Sequence, residues 1–211
     1  MSRLRARPGW ELERRALLEG SSRVAGLDEV GRGCLAGPVV VAAVILRPKA
    51  RLAGLNDSKL LTPLQRETLF TKILRASEAW GIGAADAQEI DRINILNATR
   101  LAMARAVESL PVQPDHLLID AVSLPQVLVA QTCPVGGDRI SVSIAAASVV
   151  AKVVRDRVMD YYDRVFPGFG FAAHKGYGTQ EHLQAVERLG PCALHRRSFQ
   201  GVWLQRSIEF S

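Results

Sequence analysis

Cysteine is scarce and scattered. The three residues Cys34, Cys133 and Cys192 form no CxxC pair, which excludes a disulfide framework and a cysteine-based zinc site. The basic amino terminus (MSRLRARP) is not followed by an apolar core and a cleavage site, so it is not read as a secretory signal. The most apolar run, Leu35 to Leu46, contains Gly37 and Pro38 and is too short to span a bilayer. No repeat, low-complexity tract or Pro/Gly/Ser linker divides the chain. These absences describe a soluble, cytoplasmic protein with no membrane partner. It is expected to form a single domain over residues 1–211, with a C-terminal helical extension from about 180 to 211.

What is present suits an ordinary globular fold. The 211 residues are 48% hydrophobic and 23% charged, close to globular averages, and a chain of this length buries roughly 70% of its unfolded surface. Lys plus Arg number 27 against 21 Asp plus Glu, a formal net charge of +6. That excess is a modest pull toward polyanions.

The hydrophobic pattern predicts a helix over Trp10–Glu19 and a strand over Arg23–Asp28 that stops at charges. The uniformly apolar Pro38–Leu46 (PVVVAAVIL) reads as a strand buried on both faces. Thr62 and Pro63 start a helix running to about Ala76, and Ala79–Ala85 is a third strand. A long helix follows from about Ala87 to Leu110, with Ile93, Leu96, Met103, Ala104 and Val107 on one face. His116–Asp120 is a short buried strand, Val142–Tyr162 a helix, and Gln180–Leu189 a last helix. Interleaved strands and helices with acids at strand ends describe a layered α/β or α+β fold with a polar site along one sheet edge.

Asp28, Glu29 and Asp120 end apolar strand-like segments, and Asp138 follows Gly136-Gly137 ahead of a helix. Converging carboxylates raise one another's pKa unless a cation sits among them. Hard ions such as Mg²⁺ take one or two carboxylates each and keep several waters. A pair of such ions about 4 Å apart can activate water against a phosphodiester. Neighbours on a strand face opposite ways, so Asp28 and Glu29 are expected to share a site where Gly31 and Gly33 break the strand. A single strand-end acid more often solvates a loop or caps a helix, and spacing alone does not establish convergence.

The turn Gly31-Arg32-Gly33-Cys34-Leu35-Ala36-Gly37-Pro38 brings backbone amides within reach of a ligand, or is simply a tight turn. It matches neither GxGxxG nor the Walker loop, and a strand follows it, so a nucleotide cofactor is excluded. His174-Lys175-Gly176-Tyr177-Gly178-Thr179 offers an aromatic ring for stacking and a lysine for phosphate, or a surface loop with a buried tyrosine. His195-Arg196-Arg197-Ser198-Phe199 is the densest basic group and, alone, a solvated face; the same holds for Lys59. His116 and His182 read as structural, with no second histidine at ligand spacing.

Together GLDEVGRGCLAGPVV (Gly26–Val40), NDSKLL (Asn56–Leu61), EIDRINIL (Glu89–Leu96), LLID (Leu117–Asp120), Gly137-Asp138, IAAASVVAKVVRD (Ile144–Asp156), HKGYGT (His174–Thr179) and HRRSF (His195–Phe199) resemble ribonuclease HII, the bacterial type 2 ribonuclease H. The resemblance runs in order from about Ser22 to Phe199. It implies an RNase H-like α/β fold, a mixed central sheet flanked by helices with a small helical C-terminal part. It also implies a metal-dependent endoribonuclease that hydrolyses the RNA strand of RNA–DNA hybrids and cuts 5′ of single ribonucleotides in duplex DNA. Two divalent ions, Mg²⁺ or Mn²⁺, would act, leaving a 3′-hydroxyl and a 5′-phosphate. By motif position, Asp28, Glu29, Asp120 and Asp138 match the family's metal-binding catalytic acids. Gly31, Arg32 and Gly33 match the turn that recognises the ribose 2′-hydroxyl, the group that separates RNA from DNA. Tyr177 matches a tyrosine that stacks on the next sugar, and Lys59, Lys175 and Arg196 lie in matching segments as substrate-backbone contacts.

Two departures stand out. Gly136 replaces the lysine common ahead of the Gly-Asp pair, and Ala121 follows Asp120 where glycine is frequent; both are expected to alter rate or metal preference. About twenty residues precede the first strand, which disfavours the sister ribonuclease HIII with its added N-terminal domain. A noncatalytic nucleic-acid-binding module on the same fold is the rival from another class, and the presence of all four acids argues against it. The chain is read as a monomer, with the tail Trp203 to Ser211 a candidate contact for a replication clamp.

Overall fold

The computed structural model describes residues 7–202. The tail from Trp203 onward, with the clamp contact assigned to it, lies outside the described residues. Helix α1 (Glu11–Leu18) precedes strand β1 (Val24–Val30) and strand β2 (Val39–Leu46). Helix α2 (Pro63–Ala76), strand β3 (Ser77–Ala85), helix α3 (Ala87–Glu108), strand β4 (His116–Ile119) and strand β5 (Ala130–Thr132) follow. Helices α4 (Val142–Val165), α5 (Phe171–His174) and α6 (Gln180–Leu189) complete the chain, and short 3-10 turns span Ser58–Leu60 and Gly137–Arg139. The sheet order is β3-β2-β1-β4-β5. β1 pairs antiparallel with β2 and parallel with β4, which makes the sheet mixed.

β2 is buried along its whole length. Val39, Val41, Ala43 and Ile45 pack with α3, whereas Ala42, Val44 and Leu46 pack with α2 and α4. That alternation is the two-sided burial its apolar run predicts. α2 starts with a full capping box, in which Thr62 and Gln65 each bond the other's backbone and Pro63 takes the first turn. α4 lies so close to β1 that a side chain at Gly26 would strike the Ser143 backbone.

Two expectations are corrected and one strand is added. β1 does not stop at Asp28, because Asp28, Glu29 and Val30 stay paired with Ala42, Val41 and Val40. α3 is kinked at Asn94, which sits at φ 65°. Its side chain accepts the Asn97 amide and starts the helix afresh. The second half therefore buries Ala98, Ala102, Met103, Ala106 and Val107, and leaves Leu96 exposed. The three-residue β5 carries too little pattern to be foreseen. Among the described residues, no helix is long and apolar enough to cross a membrane.

Candidate active site

The parallel register pairs Leu27 with Ile119, so Asp28 and Asp120 emerge side by side at the same sheet edge. Asp28 turns toward α4, where the nearby Ser148 hydroxyl favours its charged form. Glu29, facing the other way, accepts a bond from Arg32 at 3.1 Å. Asp120, just past the end of β4, accepts the Gly137 amide at 2.8 Å, which ties the 3-10 turn bearing Asp138 to the same edge. The strand therefore need not break for Asp28 and Glu29 to share a site; they flank the edge from opposite faces.

Burial pushes the Asp28 carboxyl well above the ordinary range, and the charges of Glu29, Asp120 and Asp138 push it the same way. Burial also raises Glu29, against the opposing pull of Arg32 and with the charge of Asp120 adding to it. Asp138 is raised by burial and then by Asp57 and Asp120, while Lys59 and Arg139 oppose. Asp57 is an acid the sequence reading missed. It is 2% exposed, caps the turn that carries Lys59, and faces Arg139 at 3.7 Å. Ser148 was missed as well; it joins Ser58 by a 2.9 Å hydroxyl contact.

One carboxylate oxygen, Glu29 Oε2, is buried without a hydrogen-bond partner. An orphaned buried anion among mutually repelling acids is the environment a hard divalent cation relieves. Among the described residues no group of three or more His, Cys, Asp or Glu side chains is already placed to hold a metal ion, so a cation here would need the acids to draw together. Asp28, Glu29, Asp120 and Asp138 are the residues that would hold it.

A stability consequence has a definite sign. An acid raised in the folded state binds its proton more tightly when folded, so metal-free stability falls as pH climbs above the unfolded value of about 4. Saturating Mg²⁺ or Mn²⁺ should therefore raise the melting temperature by several degrees at pH 7, and by progressively less toward pH 4. A melting-temperature gain that did not depend on pH would count against the cation site.

The glycine-rich turn lies beside the acids. Gly31 adopts φ 97°, and a side chain there would collide with Arg155. Arg196, expected as a contact to substrate, is fully buried instead. Its guanidinium donates to the carbonyls of Gly31 at 2.6 Å, Arg32 at 2.8 Å and Gly37 at 2.8 Å. Arg155, which the sequence reading did not single out, is also fully buried and donates to Pro38, Lys175 and Ala36 carbonyls. In a trans peptide the N–H points opposite the C=O. Arg196, pinning the Gly31 and Arg32 carbonyls, therefore turns the amides of Arg32 and Gly33 the other way. Burial pulls the Arg196 guanidinium down to about 10, still charged at neutral pH.

Tyr177 is 42% exposed, and its hydroxyl meets the Cys34 thiol within the turn. Lys59 is exposed, whereas Lys175 pairs with Asp160. Gly136 sits at φ 70° and Ala121 at φ 55°, the left-handed region where a Cβ costs about 1–2 kcal/mol. Ala121→Gly should add about 0.5–1 kcal/mol net of the looser unfolded chain. A calorimetric scan would show a rise of about 2 °C; a fall would mean that Ala121 is not strained.

The sequence matches the Ribonuclease HII family over residues 25–202. It is 55% identical to the ribonuclease HII of Moorella thermoacetica over 198 residues, covering 94% of this chain and 95% of that one. The ribonuclease H2 of Pyrococcus horikoshii OT3 superposes with a TM-score of 0.71 at 26% identity, over 86% of this chain and 95% of that one. Bst-RNase HIII, solved in complex with Mn²⁺, shares the fold at a TM-score of 0.64 and 22% identity, over 89% of this chain and 70% of that one. With the edge-on acids, the mixed sheet and these matches together, the chain belongs to the ribonuclease HII family.

Proposed function

We propose that this protein cuts the RNA strand of RNA–DNA hybrids, and duplex DNA on the 5′ side of a single embedded ribonucleotide, leaving a 3′-hydroxyl and a 5′-phosphate. The observation that carries the reading is the meeting of Asp28, Glu29, Asp120 and Asp138, with the orphaned Glu29 oxygen, beside a turn whose carbonyls are drawn inward. Two bound Mg²⁺ or Mn²⁺ ions would supply an activated water and offset charge on the leaving oxygen.

The chain's own residues do the rest. Amides of the Gly31-Arg32-Gly33 turn meet the 2′-hydroxyl, which DNA lacks. The exposed part of the Tyr177 ring stacks on the sugar of the next nucleotide. Lys59 and, on release from Asp160, Lys175 meet phosphates. Arg196 acts through the turn and not on the substrate. Lys59 and Arg139 both face Asp138, so Gly136 in place of a lysine tunes rate or metal preference without emptying the site of cations. All four acids and the reading turn lie on one chain, so a monomer suffices.

The test is cleavage of a labelled DNA duplex holding one ribonucleotide, with Mg²⁺, Mn²⁺ or EDTA and an all-DNA control. A metal-dependent cut 5′ of the ribonucleotide is expected. Cutting confined to long hybrids would remove the roles given to the turn and Tyr177, and tight binding without any cut would favour a noncatalytic module.

A further inference from the structure

His174, His182 and His195, spaced 8 and 13 residues apart, pack into one cluster in which His182 and His195 are buried and His174 is half-buried. The His174 and His182 rings stack at 4.2 Å and 14°, and His182 Nε2 lies 3.1 Å from His195 Nε2. His182, read from the sequence as structural with no second histidine at ligand spacing, thus has two histidine neighbours in space; His116 bonds Thr132.

The donors and acceptors fix every tautomer. His182 Nδ1 faces the Tyr177 carbonyl at 2.8 Å, which only accepts, so Nδ1 carries the proton and Nε2 accepts. His195 must then donate from Nε2. Its Nδ1 is free to accept, and it does receive the Cys192 amide at 3.0 Å. His174 donates from Nε2 to the Phe169 carbonyl and accepts the Gly176 amide on Nδ1. Burial pulls His182 down to about 4 and lowers His195 as well, in keeping with neutral rings at these two positions at neutral pH.

The chain of bonds has a direction and an end point. It runs from the Cys192 amide through His195 and His182 to the backbone of Tyr177. The Tyr177 amide bonds the His174 carbonyl, and the Gly176 carbonyl accepts the Leu35 amide at 2.8 Å, which docks this turn on the glycine-rich turn. At its other end the Tyr177 hydroxyl meets Cys34.

We propose that His182, oriented by His195, is a positioning residue that sets the Tyr177 ring against the glycine-rich turn, and so sets how the nucleotide after the ribonucleotide is held. The inference rests on the substrate role given to Tyr177 above. An asparagine amide can replace the Nδ1 donor, whereas a glutamine amide lies near Nε2 and cannot.

The experiment measures kcat and KM on the single-ribonucleotide duplex for the wild type, His182→Asn, His182→Gln, Tyr177→Ala and the His182→Gln/Tyr177→Ala double variant. His182→Gln should lose roughly tenfold in kcat/KM, His182→Asn should stay within about twofold, and His182→Gln should cost little once Tyr177 is alanine. An equal loss from His182→Gln in both backgrounds would overturn the proposal. Unchanged kcat/KM in Tyr177→Ala would instead overturn the role of the tyrosine itself. Imidazole ¹⁵N spectra of the wild type give a test that needs no variant to fold. A neutral His182 protonated on Nδ1 is expected at pH 7, and an Nε2-protonated or cationic His182 would sink the relay.

Discussion

Replacing Asp28 with asparagine is expected to lower cleavage by roughly a thousandfold or more while leaving affinity for the hybrid within about threefold. The asymmetry follows from where Asp28 sits. It is 6% exposed, accepts its neighbour's amide, and feels the charges of three other acids, so in the proposed role it would supply charge for a cation and make no phosphate contact. The same change should stabilise the protein in EDTA. It removes a buried anion whose carboxyl is already pushed well above its ordinary range, at almost no cost in volume. A gain of about 1–2 kcal/mol, or several degrees of melting temperature, is expected at pH 7. The gain should fade toward pH 4, where the wild-type carboxyl takes up its proton. Loss of activity together with gain of metal-free stability separates a ligand from a scaffold residue. If the variant melted lower than wild type and bound hybrid poorly, Asp28 would be holding the fold and not a cation.

Much of this site could be read in the sequence because its acids lie at or near the ends of elements with strong patterns of their own. The uniform apolar run of β2 and the short run of β4 flank β1, and their register carries Asp28 and Asp120 to one edge. What could not be read depends on burial that charge disguises. Asp28-Glu29 looks like the end of a strand, yet Ala42 and Val41 across the ladder keep it paired. Arg196 looks like part of a solvated basic run. The carbonyls of a tight glycine turn need donors from somewhere, and two arginines distant in sequence supply them. Asp57 was hidden in the same way, as an ordinary cap beside a lysine. The histidine relay left no linear trace, since its members come from α5, α6 and the segment after α6, and only the fold brings them together.

The arginine clamp carries the second large prediction. Arg196→Met keeps the aliphatic stem but leaves the Gly31, Arg32 and Gly37 carbonyls without their charged donor, at a cost of about 3–5 kcal/mol. The melting temperature should fall by roughly 6–20 °C. Arg196→Lys keeps the charge, but an ammonium lacks the planar fork and cannot satisfy the same three carbonyls together, so it should fall between the two. The functional effect is separable, because both variants can be assayed well below their melting points. With the carbonyls released, the Arg32 and Gly33 amides lose their fixed outward aim. Cleavage at a single ribonucleotide should then drop roughly tenfold to a hundredfold. Cutting within a long hybrid, where many registers are available, should suffer less. A ratio of the two activities that stays at the wild-type value, in a variant that melts lower, would make Arg196 a brace for the fold alone. A changed ratio would tie it, through the turn, to the choice between RNA and DNA.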